Sequence, residues 1–162
     1  MASMTQNPEP LHTGGCQCGA IRYALYAEPF NPHICHCRMC QKAAGSFFAP
    51  FASVNVENFA WTRGTPGIFK SSAVIERAFC RQCGTPLSYR NIENPHISIT
   101  IGSLDEPERV QPAVQTGIES RMSWFSKLDA LPEMQTDIPQ SPVERRKFES
   151  RQHPDIDTGH WP

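Results

Sequence analysis

Apolar and polar residues alternate with a period of two over much of the chain. "AIRYALYA" (20–27) sets Ile21, Tyr23 and Leu25 on one face, and "HISITIGSL" (96–104) alternates Ile97, Ile99 and Ile101 with Ser98 and Thr100. That is the signature of half-buried strands. "SFFAPFASVNV" (46–56) and "GIFKSSAVIERAFC" (67–80) add aromatic and β-branched residues, and the 10 Gly and 15 Pro interrupt these runs at short intervals. The pattern predicts a mainly β fold. "CRMCQKAAG" (37–45) is the one stretch that reads as a short helix, closing at Gly45. From about Thr136 the chain turns proline-rich and charged, which predicts a loosely held tail; His153, His160 and Trp161 lie within it and are expected to stay undocked.

Composition sharpens this picture in two respects. With 162 residues the chain fits one domain with a real core. Its charge is nearly balanced, 15 Lys plus Arg against 16 Asp plus Glu, so neither a nucleic-acid footprint nor an electrostatic membrane anchor is expected. "MASMTQNPEPLHTGG" has neither the basic start nor the apolar run of a secretory signal, and no stretch reaches membrane-spanning length. A cytoplasmic protein with small-molecule partners is the expectation. In that compartment thiols stay reduced, so seven cysteines point to metal or catalysis before disulfides.

Two of the cysteine clusters share a design. "GGCQCGA" holds Cys16 and Cys18, "FCRQCGTPL" holds Cys80 and Cys83, and each ends in a cysteine followed by glycine. Gly19 and Gly84 can take positive φ, which folds the chain around an ion and aims backbone N–H groups at the sulfurs. Each turn supplies two ligands, and two turns complete a tetrahedral four-thiolate zinc site of structural type. A redox Cys-x-x-Cys is the rival reading for Cys80 and Cys83, although no strand–helix–strand unit surrounds it.

Cys35, Cys37 and Cys40 remain, in "ICHCRMCQK". Gln41 and Lys42 follow Cys40 where the other pairs have glycine, so this run predicts a turn entering a helix, with Cys37 and Cys40 one turn apart. His36, if extended between two cysteines, points away, while His33 can reach round as a fourth ligand. Spacing alone leaves two alternatives open: a closed Cys₃His structural site, or an open site with room for water or substrate, the pattern of catalytic zinc.

"GGCQCGAIRY", "CHCRMCQKAAGSFF", "FCRQCGTPLSYR", "IGSLDEPE" and "ESRMSW", taken in order over about residues 12–133, resemble the glutathione-dependent formaldehyde-activating family, which also includes centromere protein V. The resemblance implies zinc-stapled coiled β-sheets, a β-tent, with one short helix. It also implies two zinc ions: a structural one on Cys16, Cys18, Cys80 and Cys83, and a catalytic one on Cys35, Cys37 and Cys40. Gln115 stands where many members carry a histidine. The implied activity is that of a carbon–sulfur lyase, joining a small aldehyde such as formaldehyde to a thiol such as glutathione. The competing class is a zinc-stabilised interaction module without turnover. On this basis residues 1–11 are a flexible lead, 12–135 the zinc-binding domain and 136–162 the tail. Arg38, Lys42 and Arg81 lie beside cysteines, where they can offset the anionic site or hold substrate carboxylates, or else be solvated surface charges. Trp61, Phe69, Phe47 and Phe48 are expected chiefly as core, with a pocket wall as the alternative.

Overall fold

The computed structural model describes residues 9–137 and 141–160. In chain order the strands are β1 (His12–Gly15), β2 (Arg22–Leu25), β3 (Phe30–Cys35), β4 (Ala49–Asn55), β5 (Phe59–Arg63), β6 (Gly67–Lys70), β7 (Ile75–Phe79), β8 (Pro86–Asn91), β9 (His96–Thr100) and β10 (Val114–Thr116). They form two sheets. One runs β1-β2-β5; the other runs β10-β3-β4-β9-β8-β7-β6 and is antiparallel except for the β10–β3 pair. The mainly β architecture expected from the pattern is the one observed.

The two sheets share one core. Tyr23 and Leu25 from the small sheet join Ala52, Val54, Leu87 and Ile99 from the large one in a single buried cluster. Burial exceeds what the alternation implied, because both faces of the key strands are covered. All four residues of β2 are buried, as are Ser98 and Thr100 between the isoleucines of β9. Buried polar atoms must find partners, and these do: the Ser53 and Ser98 hydroxyls bond across strands at 2.8 Å, and Thr100 Oγ1 donates to Pro86 O at 2.8 Å. Arg22 is 2% exposed and forks onto Asp105, with Nη1 donating to Oδ1 at 2.7 Å and Nη2 to Oδ2 at 2.5 Å. That pair holds the Asp105 carboxyl below its ordinary range: burial opposes ionisation, but the guanidinium and the Thr13 hydroxyl outweigh it.

Helix α1 (Arg38–Ala44) lies where the sequence placed it. Its first turn is capped by Cys37, and Gly45 closes it in the left-handed region at φ 62. A six-residue helix, α2 (Pro142–Lys147), forms in the tail and was not anticipated; Pro142 stands at its first position, where the missing N–H costs nothing.

The expectation of a loosely held tail fails further on. His153 is 3% exposed, donates its backbone N–H to Gln17 O at 2.7 Å and bonds through Nε2 to Thr158 Oγ1 at 2.8 Å. Arg63 bonds Thr158, and Arg22 reaches Asp157 at 3.4 Å. The tail is therefore strapped over the Cys16–Cys18 turn. Single polar contacts of this kind leave no periodic trace in a sequence. His160 remains exposed, and Trp161 lies outside the described residues.

Candidate metal centre

The two outer cysteine pairs sit on turns that repeat one geometry. In the first, Cys16 N donates to Ile21 O at 2.9 Å, Gly19 N to Cys16 O at 3.0 Å, and Ile21 N to Cys16 Sγ at 3.2 Å. In the second, Cys80 N donates to Thr85 O at 3.0 Å, Gly84 N to Cys80 O at 2.9 Å, and Gln82 N to Cys80 Sγ at 3.4 Å. Gly19 at φ 75 and Gly84 at φ 78 make both reversals possible, as the sequence suggested. Thr85 ties the turns together: its hydroxyl accepts from Gln17 N at 3.1 Å and lies 3.1 Å from Cys83 Sγ.

These turns bring the sulfurs of Cys16, Cys18, Cys80 and Cys83 within 4.8 Å of one another. Cys16 and Cys18 are 3.5 Å apart and Cys18 and Cys80 3.7 Å, and all seven cysteines are free thiols. A tetrahedral zinc with bonds of about 2.3 Å sets its sulfurs roughly 3.8 Å apart, so the donor set fits that ion. The environment already favours charge at one corner. Burial opposes ionisation of Cys83, yet the Thr85 hydroxyl and backbone N–H groups hold it at about 6, whereas burial pushes Cys16 up to about 12.

The third cluster comes from one continuous run. Cys35 ends β3, Cys37 caps α1 and accepts from Cys40 N at 3.4 Å, and Cys40 lies in the first helical turn. Their sulfurs also gather within 4.8 Å. The 114–120 segment locks this run in place. His36 N donates to Thr116 O at 2.8 Å, and the buried Gln41 amide donates to His36 O at 2.8 Å and Ser120 O at 2.9 Å. Gly117 at φ 62 packs so tightly that a β-carbon there would lie 2.6 Å from Cys37 N.

Neither histidine joins the three thiols. His33 Nδ1 bonds Asn31 O at 2.8 Å. His36 is fully buried, bonds Gln115 Oε1 at 3.0 Å through Nε2, and packs edge-on against Phe125 at 4.6 Å. Among the described residues, the groups able to hold a metal are thus one of four thiols and one of three.

A cation that bonds the trio is one the sequence did not single out. Arg77, on β7, is 8% exposed; its Nη2 donates to Cys40 Sγ at 3.4 Å, its Nε to Ser71 Oγ at 3.3 Å, and its guanidinium lies 5.0 Å from the Tyr89 ring centre. An arginine buried in a strand of alternating pattern was the available signal, since such a charge needs a partner. Burial raises Cys40 to about 12 against the pull of Arg77, while Cys35 is held below the ordinary thiol value, burial being outweighed by the Cys37 N–H and neighbouring donors. Arg38 is exposed and engages Gln41 at 2.9 Å, and Arg81 is exposed and belongs to neither group.

Cys40 is buried with Ala49 and Phe51 and bonded by Arg77, and these three residues also line a cavity of about 680 Å³ whose lining includes Lys42 but none of the three cysteines. Phe48 and Phe69 line it too, and Phe69 is 61% exposed, so these rings are wall where core was expected. Trp61 does pack against the core, and Phe47 packs edge-to-face with Phe48 and Trp124.

Fold and thiol geometry together define a mainly β domain carrying two cysteine clusters suited to metal. The family profile described as glutathione-dependent formaldehyde-activating enzyme matches residues 11–120, and the chain belongs to that family. An uncharacterized lyase of Schizosaccharomyces pombe is 33% identical over 89 residues, 54% of this chain and 64% of the relative. A "Putative glutathione-dependent formaldehyde-activating enzyme" of Podospora anserina is 34% identical over 91 residues, 54% of this chain and 42% of the relative. These matches leave from about a third to more than half of each relative unmatched. A crystal structure of a Rhodobacter sphaeroides protein shares the fold at TM-score 0.53 and 20% identity, over 64% of this chain and 99% of that one.

Proposed function

We propose that the protein is a zinc-dependent enzyme of the carbon–sulfur lyase type, joining a small aldehyde to a thiol such as glutathione at Cys35, Cys37 and Cys40. Cys16, Cys18, Cys80 and Cys83 hold a second, structural zinc, within a domain spanning residues 12–135. The observation that carries the reading is a three-thiol group, joined by no histidine nitrogen among the described residues, whose neighbours Arg77, Ala49 and Phe51 line a cavity. Seven free thiols suit a reducing compartment such as the cytoplasm; among the described residues no helix is long and apolar enough to cross a membrane.

When bound, zinc on three thiolates supplies a soft Lewis-acidic position that favours the ionised, nucleophilic form of a substrate thiol. The chain's own groups do the rest. Arg77 offsets the excess negative charge of the trio through Cys40 and presents positive charge to the cavity, where the carbonyl oxygen gains its electron pair. The apolar wall around Phe51 limits water around the electrophile. The carbon–sulfur bond forms as the carbonyl π bond breaks, and the thiol proton ends on the new hydroxyl.

NMR-monitored formation of the formaldehyde–glutathione adduct, compared with the spontaneous rate, tests the activity. Cys40→Ala should lose one metal per chain and all acceleration. His33→Ala should keep both, because its ring is engaged with Asn31. Wild-type rates no faster than buffer, with zinc lost from His33→Ala, would leave a two-zinc scaffold.

A further inference from the structure

Formaldehyde occupies only a small fraction of a cavity of about 680 Å³. The walls are ring and thioether faces from Met39, Phe48, Phe51, Phe69 and Phe79. Phe69 is 61% exposed although it sits in strand β6, so this ring faces open space with nothing packed over most of it. Among the described residues, the charged groups in the lining are Lys42 and Arg77, with no carboxylate. Glutathione brings two carboxylates, an ammonium and two peptide amides. Lys42 and Arg77 answer its carboxylates; the remaining polar side chains of the lining are Ser46, Ser71, Ser88 and Thr100, of which Ser71 is already bonded to Arg77 and Thr100 to Pro86 O, and the ammonium meets no acid among the described lining residues. Each polar group buried without a partner costs roughly 1–3 kcal/mol. An apolar group there gains about 25 cal/mol for each Å² withdrawn from water.

We propose that the site's substrate carries an apolar substituent the size of an aryl group, seated among Phe48, Phe51 and Phe69. This rests on reading the three-thiol cluster as the substrate-facing site, and it narrows that site's substrate class. The substituent sits on the aldehyde or on the thiol, and the bond changes are the same in either case: sulfur bonds to the carbonyl carbon, and the thiol proton passes to the former carbonyl oxygen.

Calorimetric titration of the zinc-loaded full chain with benzyl mercaptan, phenylacetaldehyde and glutathione tests the proposal. At least one of the first two should bind tenfold or more tightly than glutathione, and the one that does identifies the carrier. Phe69→Asp, at an exposed position that should tolerate it, should remove that preference while metal content stays at the wild-type value. Glutathione binding as tightly as both apolar probes overturns the proposal, as does an apolar preference that survives Phe69→Asp. The proposal and the activity fail separately. Catalysed formaldehyde–glutathione condensation without apolar preference keeps the enzyme and overturns the apolar subsite. Tight apolar binding abolished by Phe69→Asp, with no turnover of any pair, supports the subsite and removes the enzyme.

Discussion

Cys16, Cys18, Cys80 and Cys83 sit on two turns that copy one another and come from distant parts of the chain; Cys18 and Cys80 are 62 residues apart. Cys35, Cys37 and Cys40 lie on one short run, held from behind by the 114–120 segment. An ion in the first group closes a long loop and joins the small sheet to the hairpin of β7 and β8, so its binding energy becomes folding energy. An ion in the second closes almost no loop. In the proposed function its binding energy is free to serve chemistry at the cavity that Arg77, Ala49 and Phe51 line. Under the proposed function, topology divides the same thiol chemistry into a staple and a workplace.

The sharpest break between the groups comes from exchanging one sulfur in each. Cys83→Ser should abolish cooperative folding, because structural zinc contributes on the order of 10 kcal/mol, whereas Cys40→Ala should melt within a few degrees of wild type with one metal fewer. Thermal melting with elemental analysis reads both. Equal losses of stability would erase the distinction.

Asp105 braces the staple side through the buried Arg22. Asp105→Asn should cost about 3 kcal/mol in chemical denaturation, since it leaves the buried Arg22 guanidinium with only the longer 3.4 Å contact to the Asp157 carboxylate. The folded carboxyl lies below its unfolded value of about 3.9, so this stabilisation is full above that value and is lost as pH falls through the folded pKa. The variant's deficit should therefore shrink in acid.

Arg77 braces the other side. Arg77→Met should lower adduct formation roughly ten- to a hundredfold, the worth of a charge-assisted hydrogen bond of about 1.5–3 kcal/mol. Arg38→Met should change the rate little, because that side chain is exposed and engages Gln41.

The smallest effect concerns the tail. His153→Ala removes the contact with Thr158 and should cost about 1 kcal/mol, lowering the melting midpoint by roughly 2–4 °C without altering activity. A drop in metal content as well would mean that the strap protects the Cys16–Cys18 turn directly.

Legible in the sequence were the strand character of the stretches that hold β2, β4, β6, β7 and β9, the helix closing at Gly45 and the division of seven cysteines into four and three. Each of these is a local property: alternation sets strand faces, a glycine after the last helical turn sets its end, and Cys-Gly spacing sets a turn whose backbone must enter positive φ. Only the tertiary structure decided what the local code does not carry. Arg77 on β7 reaches Cys40 on α1 from 37 residues away, and Gly117 fits under Cys37 because β10 pairs in parallel with β3. His33 turned to Asn31 instead of the trio, although its spacing allowed both. The tail docked through a few polar contacts with no periodicity to announce them. Spacing constrains residues within a few positions of one another, whereas contacts across 37 to 135 residues depend on how the sheets stack, and that is settled by the burial of the whole core.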